Sequence, residues 1–254
     1  MEQVPATIVY ADDRLVVVNK PPGISLSTRR SEPRGAVDRL LASTDAEDLS
    51  QRGIDPGTLL LVHRLDVGTS GLVMLARDQE THRLLSRELS ERRVEKTYLA
   101  LVWGHPRPRL GRYDWPLAPD RRDRRKMRVD PGGSPAATRY RTVADASHVS
   151  LVELSPETGR THQLRVHLAR AGHWIVGDDL YGGPRHRAVR DRNLQLALNP
   201  SHLLLHAWRL GLPELAGIQA RRFEAPLPKE FQAVLDSLRT SAMSIDSGPT
   251  CSDC

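Results

Sequence analysis

Cysteine is almost absent from this sequence, since the 254 residues contain only Cys251 and Cys254, both at the carboxyl terminus. Two cysteines so close to the end cannot cross-link a core, which excludes a disulfide scaffold and fits a reducing compartment. Long apolar runs are also missing, because stretches such as 59–62 and 203–205 are far too short to span a bilayer. The amino terminus lacks the basic and then apolar pattern of a signal peptide. These absences predict a cytoplasmic protein with no membrane segment.

Several signatures of catalysis and cofactor binding are missing as well. The sequence has no G-x-x-x-x-G-K-[ST] phosphate loop and no G-x-G-x-x-G motif after a strand, and Thr69–Gly71 is not the nucleophile elbow of a hydrolase. His162 and His167 are five residues apart, which is not the i, i+4 spacing of a helical zinc pair. With His173 and Asp178–Asp179 nearby, a metal hydrolase stays as an alternative, but we expect no cofactor and no metal.

Lysine is scarce, with 4 Lys against 33 Arg, and the formal net charge is +6. Arginine presents a planar fork that suits phosphate and stacks on bases, although a GC-rich genome would produce the same bias. The charge is concentrated in residues 107–128, where nine basic residues and three acids give 9 − 3 = +6. Such a segment predicts a polyanionic partner, and a solvated surface loop is the alternative.

Apolar periodicity predicts strands and helices that alternate without a regular βαβ rhythm, which favours an α+β fold. Strands are expected at 7–10, 15–18, 59–62, 72–75, 94–103, 138–143, 149–154 and 203–210. Helices are expected at 37–41, 78–92, 161–171 and 228–238. Residues 240–254 are small, polar and patternless, and they predict a disordered tail.

A polar loop between two apolar runs, His63–Gly71, carries the first candidate site. Asp66 follows Arg64 by two residues, and a nearby guanidinium favours the ionised form of a carboxyl group. An ionised aspartate can act as a nucleophile, a base or a metal ligand. A surface salt bridge or a loop cap would give the same pattern, so the spacing alone leaves the role of Asp66 open.

The segment Glu157–His167 carries the second candidate site. If Thr161 opens a helix, His162 and Arg165 share one face, whereas Leu164 faces the core. Polar side chains beside a helix amino terminus predict a site for an anion.

Both candidate sites lie in segments that resemble the sequence blocks of the RluA-type pseudouridine synthases. The loop His63–Leu72 resembles the signature loop of that family. The other matching blocks follow in the family's order and extend the resemblance over about residues 8–238: Val17–Gly23, Glu95–Ala100, Thr158–His167, Gly177–Gly182, Leu203–Trp208 and Phe223–Pro226. The resemblance implies an α+β fold with a mixed, mainly antiparallel central sheet, flanking helices and a catalytic cleft.

The resemblance further implies isomerisation of specific uridines to pseudouridine in ribosomal or transfer RNA. In this reaction the base is detached at N1, turned while bound, and rejoined through C5, which requires no cofactor. Asp66 matches the nucleophile, which attacks either the sugar C1′ or the uracil C6. Tyr98 matches the tyrosine that stacks on the base and helps to remove the C5 proton, although a core aromatic is its alternative role. Arg165 matches the basic partner of the aspartate.

Further contacts with the substrate follow from the same resemblance. Arg64 matches the residue that fills the gap left by the flipped base, and Leu164 matches an apolar contact to the uracil. The remaining expected substrate contacts are His63, Thr69, Arg160 and His162. The expected RNA-binding residues of the basic stretch are Arg121, Arg122, Arg124, Arg125 and Lys126, and the basic loop 185–192 is a second candidate.

Residues 1–239 are predicted to form one catalytic domain. The first family block begins near Ile8, which leaves no room for the small amino-terminal S4-type RNA-binding domain of many relatives, so the catalytic domain itself must grip the RNA. We expect a monomer with no obligate protein partner. The alternative function is that of a non-catalytic RNA-binding protein on the same fold, which assists RNA folding or ribosome assembly.

Overall fold

The computed structural model describes residues 4–27, 32 and 34–246. The strands are β1 Thr7–Ala11, β2 Leu15–Lys20, β3 Leu60–Leu61, β4 Ser70–Ala76, β5 Glu95–Trp103, β6 Leu110–Asp114, β7 Leu117–Pro119, β8 Met127–Val129, β9 Ala137–Ala146, β10 Val149–Pro156, β11 Leu205–Leu212 and β12 Arg221–Glu224. The helices are α1 Gly35–Leu41, α2 Ala46–Gln51, α3 Gln79–Ser90, α4 Gln163–Arg170, α5 Arg192–Ala197 and α6 Lys229–Asp246, with a 3₁₀ turn at Arg185–Ala188. The α+β class predicted from the sequence is confirmed.

One large mixed sheet organises the molecule. Its strands follow the order β1-β2-β4-β11-β5-β10-β9-β6, with β12 paired to β11 and β3 paired to β4. Among the named strand pairs of the described chain, only β4 and β11 run parallel, and the others are antiparallel. The short strands β7 and β8 form a separate hairpin, residues 117–129, called here the basic hairpin. The sheet is therefore mainly antiparallel, as the family resemblance implies.

Alternation along the central strands places apolar side chains on both faces of the sheet. In β2, Val16 and Val18 join a core with α1 and α2, whereas Leu15 and Val17 join a core with α3. Each fully buried aliphatic side chain of this kind contributes about 1.5–3 kcal/mol by leaving water. The strand β4 is buried along its whole length, which makes it a rigid support for the loop that precedes it.

A glycine permits the parallel junction between β4 and β11. Gly71 has φ +111°, and a Cβ atom at this position would collide with the backbone of Ala207. Only glycine combines this conformation with so close an approach of two backbones. The junction sets the end of the loop 62–69, which connects β3 to β4.

Some boundaries differ from those expected. Helix α4 begins at Gln163 rather than Thr161, because His162 adopts the left-handed conformation with φ +53°. Helix α6 continues to Asp246, so it extends into the first residues of the predicted tail, where no proline or glycine interrupts it. The rest of the predicted tail, 247–254, lies outside the described residues. The basic stretch 107–128 is not an open loop, since it contains β6, β7 and the start of β8.

Candidate active site

A single cavity of about 1080 Å³ collects the candidate residues. Its walls come from the loop 62–69, the end of α3, the first half of β5, and the segment that leads from β10 into α4. All nine predicted catalytic and substrate-contacting residues line it: His63, Arg64, Asp66, Thr69, Tyr98, Arg160, His162, Leu164 and Arg165. The fold thus brings together three segments, and the first and last of them are about one hundred residues apart in the chain.

Arg165 is the charged centre of this cavity. Its side chain is almost fully buried and contacts two carboxylates. Asp178 accepts two hydrogen bonds, each 2.8 Å long, from Nε and Nη2, and Asp66 Oδ2 lies 3.4 Å from Nη1. Burial alone would lower the pKa of Arg165, but the hydrogen bonds and charge of Asp178 outweigh it, and the pKa is raised. Arg165 therefore remains a fixed cation that faces Asp66.

Asp66 lies in a turn whose backbone is held at several points. The Thr69 amide donates to the Asp66 carbonyl over 3.1 Å, and the Gly23 amide donates to the carbonyl of Val67 over 2.8 Å. The Asp66 side chain is 23% exposed, so one face of the carboxylate stays accessible from the cavity. A carboxylate fixed by its backbone, held beside a cation and open to the cavity can attack an electrophilic carbon.

His162 closes the other side of the carboxylate. Its left-handed backbone places Nε2 3.7 Å from Asp66 Oδ2, while Nδ1 lies 2.9 Å from the hydroxyl of Tyr181. The Tyr181 hydroxyl can donate to Nδ1, and in that arrangement the proton of the neutral ring lies on Nε2, towards Asp66. Burial lowers the pKa of His162, which favours this neutral form.

Tyr98 lies where two hydrophobic cores meet. It stands in β5, opposite Leu154 of β10 and Ala207 of β11, and packs against both core clusters. Burial, together with the negative charge of Asp66, raises the pKa of the Tyr98 phenol. Tyr98 therefore lines the cavity with its phenol protonated.

Lys20 ties the end of β2 to the loop of Asp66. Its ammonium group is fully buried and donates to the carbonyls of Pro21, Ile24 and Val67 over 2.9–3.2 Å. Burial lowers the pKa of Lys20 to about 7, and the negative charge of Asp66 opposes the shift. Lys20 lies in the block Val17–Gly23 but was not among the predicted site residues.

The remaining predicted contacts have distinct surroundings. His63 Nε2 accepts a hydrogen bond from the backbone amide of Met74 over 3.2 Å. Burial, with a smaller contribution from Lys96, lowers the pKa of His63 to about 3 and keeps its ring neutral. Leu164 is buried in the core beneath α4, whereas Arg64 and Arg160 are exposed at the surface of the cavity.

Three further residues complete the site without having been predicted to contact substrate. Asp178 fixes Arg165, and Tyr181 connects His162 to the basic hairpin, because its hydroxyl accepts a hydrogen bond from the Met127 amide over 2.8 Å. Gln163 fixes the segment that precedes α4, because its Oε1 accepts hydrogen bonds from the Thr158 hydroxyl and the Arg160 amide. Asp178 and Tyr181 lie in the block Gly177–Gly182, which was the signal that could have identified them.

The predicted RNA-binding residues cluster on the basic hairpin, which contributes nothing to the described walls of the cavity. Arg121, Arg122 and Arg124 are exposed and make no ion pair with a described acid, whereas Arg125 pairs with Asp123 over 2.8 Å. Lys126 lies 6.0 Å from the centre of the Tyr181 ring. The hairpin therefore carries free positive charge beside the site rather than inside it.

Two of the histidines considered as metal ligands, His167 and His173, form hydrogen bonds with different parts of the protein. His167 contacts Thr138 and the Trp115 carbonyl, and His173 contacts the Trp103 carbonyl. Within the described residues, no group of three or more potential ligands could hold a metal ion. In the same part of the chain, no helix has the length and apolar character needed to cross a membrane.

Comparison with known proteins identifies the class to which this site belongs. Residues 14–170 match the family model of RNA pseudouridylate synthases. An uncharacterized RNA pseudouridine synthase of Chloroflexus aurantiacus is 42% identical over 88% of this chain, which spans 66% of that relative's length. The dual-specificity RNA pseudouridine synthase RluA of Escherichia coli is 38% identical over 86% of this chain and 92% of its own. The solved structure of human RNA pseudouridylate synthase domain containing 4 superposes with a TM-score of 0.71 at 30% identity, covering 92% of this chain and 93% of that one.

The chain therefore belongs to the RluA-type family of RNA pseudouridine synthases, which are isomerases. The family resemblance of the sequence, the enzyme class and the fold are confirmed. The individual roles of the site residues stay predictions.

The buried ammonium of Lys20 predicts a pH dependence of stability. Between pH 7 and the ordinary lysine value near 10.5, the unfolded chain binds a proton that the folded protein lacks. The free energy of unfolding should therefore rise with pH, by at most about 1.4 kcal/mol per pH unit. Urea titrations at pH 7.5 and 9.5 should show wild type gaining about 2 kcal/mol relative to Lys20→Met. The exposed Lys229→Met is the control and should follow wild type, whereas parallel behaviour of all three proteins would contradict the assignment.

Proposed function

We propose that this protein converts specific uridines of structured RNA into pseudouridine and that Asp66 is its nucleophile. The observation that carries the proposal is the placement of Asp66 in an open cavity, with its carboxylate 3.4 Å from a buried Arg165 and Tyr98 in the wall. A fixed cation beside the carboxylate orients it towards the cavity, which a nucleophile needs.

The reaction exchanges one glycosidic bond for another without net oxidation. Asp66 attacks either C1′ of the ribose or C6 of the uracil, and the bond between N1 and C1′ breaks. The uracil turns in the cavity, C5 bonds to C1′, and the Asp66 carboxylate is released. The C5 proton leaves and N1 takes up a proton. Each bond that breaks is replaced by one that forms, so the chemistry consumes nothing.

Tyr98 and Leu164 would hold the detached base while it turns. Both residues line the cavity, and an aromatic ring such as that of Tyr98 is suited to stacking on a base. Because the phenol of Tyr98 is protonated in the free protein, its oxygen can accept the C5 proton only after its own proton has moved away. The surroundings of Tyr98 therefore favour stacking on the base over removal of the C5 proton as its role.

Arg64 would stabilise the flipped state of the RNA. A stacked uridine must leave its helix to reach Asp66, at a cost of a few kcal/mol. Arg64 is exposed at the rim, two residues from Asp66, and its guanidinium makes no ion pair with a described acid. Its planar side chain can occupy the space vacated by the base and so offset part of the cost.

The basic hairpin would grip the RNA outside the cavity. Its free arginines favour contact with phosphates, and the hydrogen bond from Met127 to Tyr181 joins it to the catalytic site. Ribosomal and transfer RNA are the proposed targets, in keeping with the predicted cytoplasmic location. The E. coli relative is named a dual-specificity synthase, so more than one class of RNA should be examined.

The nucleophile is tested by mapping pseudouridine across total RNA in cells that lack the protein. Reintroduced wild type should restore one or a few sites, whereas Asp66→Asn should restore none, because the amide is a poor nucleophile. Asp179→Asn, an exposed change next to the partner of Arg165, is the matched control and should restore them all.

Two results of this mapping would contradict the proposal. Restoration by Asp66→Asn would exclude Asp66 as the nucleophile. If no site changes while ribosome assembly or RNA folding does, the alternative of a non-catalytic RNA-binding factor replaces the synthase.

The basic hairpin predicts a salt-dependent part of RNA affinity. Replacing Arg121, Arg122 and Arg124 by Gln should weaken binding and lower the slope of log K against log salt by about 0.7 for each lost phosphate contact on single-stranded RNA. Arg125 stays, because it pairs with Asp123 within the turn. A control that removes three charges elsewhere, from Arg52, Arg83 and Arg239, should keep the wild-type slope. Equal slopes in all three proteins would exclude the hairpin as the grip.

A further inference from the structure

A second group of unpaired cations lies where α3 leads into β5. Arg92 and Lys96 both line the cavity, and neither makes an ion pair with an acid among the described side chains. Their neighbour Arg93 differs, because it forms two 2.6 Å hydrogen bonds with the buried Glu88. Arg139, across the cavity, is likewise neutralised by Glu157 over 2.6 Å. The positive charges of Arg92 and Lys96 are therefore left without an ion-pair partner among the described residues, on the same wall of the cavity.

Lys96 is the inner of the two cations. Its side chain is half-buried beside His63, and it makes no hydrogen bond to a described residue. Burial lowers the pKa of Lys96, and no described carboxylate compensates for the lost hydration. Partly buried ammonium groups are usually satisfied by protein partners, so an anionic ligand is the missing partner that the position fits.

Arg92 is the outer cation, and its backbone is unusual. It has φ +61° directly after the C-cap of α3, with its amide donating to the Leu89 carbonyl and the Arg93 amide donating to the Glu88 carbonyl. Glycine is the residue that this helix ending favours, since an L-side chain is strained there. A strained non-glycine residue in the wall of a functional cavity suggests that its side chain is needed.

We propose that Arg92 and Lys96 form a phosphate-binding site for the RNA backbone beside the uridine that enters the cavity. The inference rests on the proposed function, because a uridine that reaches Asp66 brings its own flanking phosphates to the cavity walls. The arginine fork suits two phosphate oxygens, and the lysine acts as a compact charge. This site is distinct from the basic hairpin, which contributes no described residue to the cavity, so the strand is held on two sides.

The site is tested by binding of a fluorescein-labelled nonauridylate to wild type, Arg92→Gly, Lys96→Met and the control Arg83→Gln, at several KCl concentrations. Arg83 is exposed on α3 and does not line the cavity. Each of the two cavity variants should weaken binding about tenfold and lower the salt slope by about 0.7. Arg83→Gln should leave both quantities unchanged.

Stability separates a ligand contact from a structural role. Arg92→Gly should raise the melting temperature by about 2 °C, because it relieves the left-handed strain, while the RNA affinity falls. A nonauridylate with neutral methylphosphonate linkages should bind wild type and both cavity variants equally.

The proposed phosphate site would be overturned if Arg92→Gly and Lys96→Met bound the nonauridylate with the affinity and salt slope of wild type. It would also be overturned if the two variants bound more weakly with an unchanged salt slope. The measurement needs no turnover. Absence of pseudouridine formation by wild type would therefore overturn the proposed function and leave the result for the phosphate site standing.

Discussion

The site depends on one buried guanidinium shared between two carboxylates. Asp178 holds Arg165 with two hydrogen bonds, and this fixed fork then faces the more exposed Asp66. A buried charge must be compensated, and Asp178 fulfils that requirement. Asp66 can therefore remain accessible at a longer distance, free to change its bonding during a reaction. The two carboxylates therefore differ: Asp178 stabilises the fold, whereas Asp66 is available for chemistry.

The sheet explains why these groups meet. Asp66 precedes β4, Tyr98 lies in β5, and β11 pairs with both strands, so the parallel junction at Gly71 fixes their spacing. Helix α4 packs on β5 and β10 through Leu164 and Leu168, which carries Arg165 to the same face. Lys20 then joins the loop of Asp66 to β2. Packing and hydrogen bonds thus act together on a loop of only a few residues.

Much of this could be predicted from the sequence, because alternating and helical apolar patterns reflect the two faces of the sheet and the packing sides of helices. Asp66, Tyr98 and Arg165 lie in motif blocks, which made them recognisable before their distances were known. The bidentate partner of Arg165 could not be predicted, since Asp178 and Asp179 look alike in sequence and only the fold buries one of them. The left-handed backbone of His162 and the strands within 107–128 depend equally on tertiary contacts that leave no periodic signal.

The measurement that tests this account most directly is tritium release from RNA labelled at uridine C5, since that hydrogen leaves when C5 bonds to C1′. Asp178→Asn, confirmed as folded by circular dichroism, should release tritium about 10- to 100-fold more slowly than wild type while RNA affinity is kept, because Arg165 loses its fixed orientation. Arg165→Lys, which keeps the charge but loses the fork, should show the same defect. Release at the wild-type rate by both folded variants would contradict the shared guanidinium as the organising element of the site.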